Sequence, residues 1–282
     1  MNLNESSHKT LTSLEGFEGV LKKEIVLDSG RILIYDVGVD ARLSKKNSLN
    51  VGLLTAKAST GCLADFSTKK DCIAVSINPN VALATLGCQM AGWAIDLDGE
   101  RAMASGPARI LARKPKAVFE KINYSESSQK AALILESNKI PAEQALMYIM
   151  DKTGASEVAI AVFKGDSKVG LINVLARVVE LAVYRLDFLG YDVNNIISAR
   201  GQVRIPRKAG MCEANDALIY NSNVELKVKK WDNKLADKCT SKSSKCYGQK
   251  FREIYEKAGC NFYNIDESIF APAEVRIIEV DS

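Results

Sequence analysis

The 282-residue chain contains a single histidine, His8, and that scarcity excludes much chemistry. A Ser-His-Asp or Cys-His nucleophile needs an imidazole inside the fold, and a multi-histidine metal site needs several. His8 stands in a polar terminal stretch where order is not expected, so general-base work falls to carboxylates or to Lys, Tyr or Cys. The seven cysteines are an odd number and none forms a Cys-x-x-Cys pair, which points to reduced, mostly buried thiols rather than a disulfide framework or a zinc element. No apolar run reaches the roughly 20 residues of a membrane span, because the longest, Leu171 to Val183, is interrupted by Arg177 and Glu180. The first twenty residues carry Glu5, Lys9, Glu15 and Glu18 and do not read as a secretory signal, so the expected location is the cytoplasm, with no membrane partner. Charge of one sign is also scarce. The net +4 is too mild to imply nucleic acid, and the lysine-rich stretch from Lys227 to Arg252, with one indole at Trp231, reads as a solvated loop.

What is present is a globular composition, 47% hydrophobic and 26% charged, enough for one large core or two modest ones. An amphipathic helix is expected around Leu11 to Leu21, then a strand at Gly30 to Gly38. A second strand, Cys72 to Ile77, stops at Asn78-Pro79-Asn80. Val81 to Trp93 has helical spacing, and Asp98-Gly99 marks a hairpin returning through Arg101 to Ala104. Helix and strand then alternate: a helix from Ala108 to Arg113, a strand from Ala131 to Glu136, a helix from Pro141 to Lys152 and a strand from Glu157 to Phe163. Val169 to Leu189 is expected to be one apolar helix of about twenty residues, roughly 30 Å long. Strands at Ile196 to Ala199 and Ala217 to Tyr220, a helix at Gly248 to Ala258 and a strand at Glu274 to Val280 complete the order.

Two constellations carry candidate chemistry. In the long apolar helix Asn173, Arg177, Glu180 and Tyr184 fall four, three and four residues apart, one polar stripe on one face. Such a stripe is often only the wet side of an amphipathic helix. Here the helix is apolar nearly all round, so the stripe is expected to face a cleft, where an arginine one turn from Glu180 would keep it ionised and oriented as a water activator. The second is Ser105-Gly106-Pro107-Ala108-Arg109 with Arg113, Lys114 and Lys116, a helix start beside several cations. It suits an anion, and equally a solvated turn.

Four segments resemble the methenyl-tetrahydromethanopterin cyclohydrolase family: Ala84 to Trp93, Ala104 to Arg109, Ala176 to Glu180, and Asn261 to Asp266 running on to Phe270-Ala271-Pro272-Ala273. Leu135-Glu136-Ser137, Asn215-Asp216 with Tyr220, and Tyr247-Gly248 are weaker echoes. The resemblance implies an α/β (α+β) fold of two intimately packed α/β domains framing a central pocket, with a first domain expected at 1–122 and a second at 123–282, the C-terminal strand being free to return to the first. It implies hydrolysis of a cationic cyclic amidine to the N5-formyl pterin, with no metal and no cofactor apart from the tetrahydromethanopterin substrate itself, in a homotrimer. By motif, Glu180 would deprotonate or position water and Arg177 would orient it. Gln89, Trp93, Ser105, Gly106, Asn173, Asn215, Asp216, Tyr220 and Phe270 would line the substrate, and Arg109 or Lys116 would meet its acidic tail. Asp40 to Lys45, Lys164 to Ser167, Ala199 to Pro206 and Tyr220-Asn221-Ser222 depart from the family pattern, and from those departures comes the competing reading: a paralogue that binds a pterin-like anionic ligand with little turnover.

Overall fold

Ala131 to Leu135 and Val158 to Val162 are apolar at every position, the pattern of strands covered on both faces rather than one. In the computed structural model, which describes residues 2–208 and 210–280, they form β7 (Lys130–Glu136) and β8 (Glu157–Phe163) at the centre of a six-stranded mixed sheet. Its order is β1 (Leu21–Leu27), β2 (Gly30–Gly38), β8, β7, β6 (Glu100–Ser105) and β5 (Trp93–Leu97). β2, β8 and β7 run parallel. Alternate residues serve opposite cores. Ile32, Leu133, Val158 and Ile160 pack with Leu146, Ile149 and Met150 of α5 (Glu143–Thr153). Leu33, Tyr35, Ala132, Ile134 and Ala161 pack with Leu11 of α1 (Leu3–Thr12) and Val51 of α2 (Lys45–Ser59). The Asp98-Gly99 turn takes φ of 51° and 81°, as the hairpin between β5 and β6 requires.

This sheet belongs to one compact unit, residues up to Ala64 together with Leu83–Asn173. It also holds α3 (Ala108–Ala112), α4 (Lys116–Lys121) and the start of α6 (Lys168–Leu175). The second unit comprises Asp65–Ala82 and the chain from Val174 onward. Its five-stranded sheet runs β11 (Glu274–Glu279), β10 (Ser222–Val228), β9 (Ile196–Arg204), β4 (Cys72–Ile77) and β3 (Ala64–Lys69). α7 (Val178–Phe188) and α8 (Met211–Asn221) pack on β9 and β10, and α9 (Phe251–Lys257) packs on α8. The division expected at residue 122 does not coincide with a boundary between units, because β6 and β7 on either side of it are paired in one sheet. The C-terminal strand stays in the second unit, parallel to β10.

Several elements differ from expectation for local reasons. The first helix starts earlier, where the Asn2 side chain caps the Glu5 N–H, and Leu21 onward is a strand. Val81 to Trp93 is not one helix: Leu83–Gln89 is π-helical, and Trp93 already begins β5. Ala217 to Tyr220 is the end of α8 rather than a strand, its Cys212, Ala214, Leu218 and Ile219 buried together. The expected helix from Val169 to Leu189 is two helices, α6 and α7. At the break Asn173 donates its side-chain amide to the Val169 carbonyl at 3.1 Å, and the Arg177 N–H reaches back only three residues to Val174 at 3.1 Å. The cysteines are free thiols.

Candidate functional site

In the second unit Arg177 is the N-cap of α7 and Glu180 lies in its first turn. The guanidinium Nη1 stands 3.9 Å from Glu180 Oε2, and Glu180 as a residue is only 7% exposed. What fixes this turn is Gly201 on β9: a Cβ there would come within 2.8 Å of both Val178 and Val179. The absence of a side chain lets the first turn of α7 lie directly on the sheet. The positive end of the helix dipole and the guanidinium both offset the carboxylate charge there. One turn on, Tyr184 donates its hydroxyl to Glu267 at 3.4 Å. Burial, reinforced by Glu267 and Glu180, pushes its pKa up to about 12, so it remains a donor at neutral pH. The break between α6 and α7 separates Asn173 from this group. Asn173 is buried on α6 and donates to the Val169 and Gly52 carbonyls, so the single four-residue stripe expected from spacing reduces to Arg177, Glu180 and Tyr184.

Also in the second unit, Asn215, Asp216 and Tyr220 share α8, and each is engaged. Asn215 donates to the Met211 carbonyl at 2.9 Å. Asp216 accepts the Phe251 N–H at 2.7 Å, starting α9; burial raises its pKa, and that hydrogen bond works against the rise. Tyr220 donates to the Gln249 carbonyl and accepts from the Gly248 N–H at 3.1 Å, its ring 5.3 Å from that of Tyr247. Phe270 lies in an aromatic cluster, 6.0 Å from Phe251 and 6.2 Å from Phe262.

In the first unit, the Ala104-to-Arg109 segment is built around a buried cation. Arg109 is fully buried, donating to the carbonyls of Leu86, Gly87 and Cys88 at 3.0–3.3 Å and of Lys114 at 2.9 Å, over the Phe119 ring. Its guanidinium lies so close to Gly92 that a Cβ there would meet it at 2.5 Å. This corrects the expectation that Arg109 meets a substrate's acidic tail: it closes the carbonyl end of the π-helical segment. Lys116 stays open, its side chain 78% exposed and 3.3 Å from Glu120. Gly106 takes φ +102° and donates to the Cys88 carbonyl at 2.7 Å, where a Cβ would strike the Ala132 carbonyl at 2.8 Å. Ser105 beside it ends β6, and Gln89 and Trp93 are buried, the Trp93 ring 6.0 Å from that of Tyr148.

The single histidine departs furthest from its reading. His8 lies buried on α1, its Nε2 2.9 Å from Glu157, a carboxylate that also receives Arg31 Nε at 2.7 Å. No spacing in the sequence links these three residues, which come together only through strand register.

The family model described as Cyclohydrolase (MCH) matches residues 2–282. A methenyltetrahydromethanopterin cyclohydrolase of Methanocella arvoryzae is 35% identical over all of this chain and 92% of its own length. Proteins of the same name from Methanospirillum hungatei JF-1 and Methanocaldococcus jannaschii are 41% and 33% identical, over 71% and 91% of this chain and 66% and 86% of their own lengths. Full-length agreement with the family model, together with relatives above 30% identity across the whole fold, makes this chain a member of the cyclohydrolase (MCH) family.

Proposed function

We propose that the protein hydrolyses the methenyl bridge of N5,N10-methenyl-tetrahydromethanopterin to the N5-formyl product, with Glu180 as general base and Arg177 as the group that orients it. The observation that carries this reading is the shielded Arg177–Glu180 pair, held on the first turn of α7 by Gly201. The amidinium carbon is already electron-poor, so the chemistry asks for an aimed water and a proton acceptor, not a metal. Water attacks that carbon as Glu180 takes a proton, forming a C–O bond. The C–N10 bond then breaks as the adduct's hydroxyl becomes the formyl C=O and its proton passes to N10, while Glu180 returns the first proton to solvent, so the overall reaction releases one H⁺. Tyr184, its hydroxyl given to Glu267, stays protonated and so adds no phenolate charge near Glu180. We place the enzyme in the cytoplasm as a homotrimer, as the family resemblance implies, acting without a cofactor.

The test is the loss of methenyl absorbance catalysed by purified protein with and without a chelator. Glu180→Gln, which keeps shape and removes the basic oxygen, lowers kcat by about 10²–10⁴-fold, the range for loss of a general base, with little change in KM or melting temperature. An unchanged kcat in that variant, or activity abolished by the chelator and restored by added metal, refutes the assignment.

A further inference from the structure

In the first unit, a cavity of about 640 Å³ lies between α1 and the sheet face of β1 and β2. α1 covers β7 and β8 on that face. Glu5, His8, Lys9 and Thr12 of α1 form one long wall and Lys22 and Glu24 of β1 the other. Strand register sets the floor: Lys22 lies opposite Tyr35, Glu24 opposite Leu33, and Arg31, Glu157 and Lys130 form one row across β2, β8 and β7. The trough is therefore elongated, its two ends at Arg31 and Tyr35 separated by four residues of β2, roughly 13 Å at strand rise, with Leu33 between.

Each end offers a donor with unspent capacity, while the carboxylates of Glu5 and Glu24 stand on the walls, Glu24 3.7 Å from Arg31. At one end the Glu157 carboxylate is taken up by Arg31, with His8 Nε2 lying 2.9 Å away. Lys130 stands off at 3.7 Å, beyond hydrogen-bond range, with its side chain half exposed. At the other end Lys22 is bonded to Glu15 at 2.6 Å, and the Tyr35 hydroxyl, fully buried, meets no hydrogen-bond partner among the described residues. A buried hydroxyl left without a partner destabilises the empty fold and rewards whatever supplies an acceptor.

We propose that this trough is a binding site for an elongated organic acid, with a carboxylate at the Lys130 end, a methylene chain running past Leu33 and a second acceptor at the Tyr35 hydroxyl. None of the residues that define it belongs to the Arg177–Glu180 group, so the proposal stands apart from the catalytic assignment. Calorimetric titration of the full-length protein with succinate, adipate, suberate and sebacate tests it. Saturable binding is expected to strengthen with chain length, the longer two binding and succinate failing. Tyr35→Phe and the surface change Lys130→Met each weaken that binding about tenfold or more, the scale of a hydrogen bond to a charged group, and leave turnover unchanged; Tyr35→Phe, which removes an unpartnered buried hydroxyl, holds or raises the melting temperature of the ligand-free protein. Three results overturn it: no saturable binding by any diacid, equal binding at every length, or binding indifferent to both substitutions. A crystal structure grown with sebacate that holds only a water at the Tyr35 hydroxyl overturns it as well.

Discussion

Arg109 illustrates how much a single buried cation can organise. Its guanidinium ties together three successive carbonyls of the π-helical segment and one from the loop after α3. Lysine brings one ammonium in place of a planar fork, so Arg109→Lys leaves carbonyls unpaired in a sealed site and costs about 2–4 kcal/mol, measurable by urea denaturation. His8 has the opposite character, a group the fold prefers uncharged. Burial holds its pKa below the ordinary 6.5, although Glu157 pulls upward. Below about pH 6.5 the unfolded chain takes up the proton first, so this site loses stability as the solution is acidified. Burial pushes Glu157 up, but Arg31 and His8 outweigh it and bring the net shift downward. Its contribution is present above the unfolded carboxylate range and disappears as pH falls through the folded value, so both groups act in the same direction. The stability of His8→Gln should therefore fall less steeply than that of the parent between about pH 7 and pH 5, by chemical denaturation at each pH.

At the scale of elements, the first turn of α7 owes its seat to a glycine on another strand. Gly201→Val puts branched carbons where Val178 and Val179 already pack. It is expected to cost about 1–3 kcal/mol and to lower kcat by lifting the turn that carries Glu180. If kcat is unchanged while stability falls, the seat matters for folding alone. The strands β2, β4, β7 and β8 are legible in the sequence because short apolar runs bounded by polar, glycine or proline residues have few other readings. The break between α6 and α7 is not, since neither proline nor glycine marks it. Ala217 to Tyr220 reads as a strand because Leu218-Ile219-Tyr220 looks β-like in isolation; its helical state as the end of α8 follows from packing against Phe251, Ile254 and Ile269. The Arg177–Glu180 pair was legible from spacing because it falls within one turn. The roles of Arg109 and His8 were hidden because their partners lie far away in the chain.

At the scale of the whole molecule, the two units are interleaved in sequence, with crossings after Ala64, Ala82 and Asn173. No single cut yields either one intact. A fragment ending at Asn173 carries β3 and β4 without β9, and with that sheet edge exposed it is expected to be recovered mainly as aggregate. The amount remaining soluble after centrifugation, compared with the full chain, checks this. The same interleaving governs how the chain emerges from a ribosome. Val75 pairs with Gly201, so β4 leaves the exit tunnel long before its partner has been translated. At about 5–20 residues per second, that hydrophobic strand waits on the order of ten seconds. For this protein the supply of nascent-chain holdases, rather than final stability, is expected to limit yield, most of all where translation is slow.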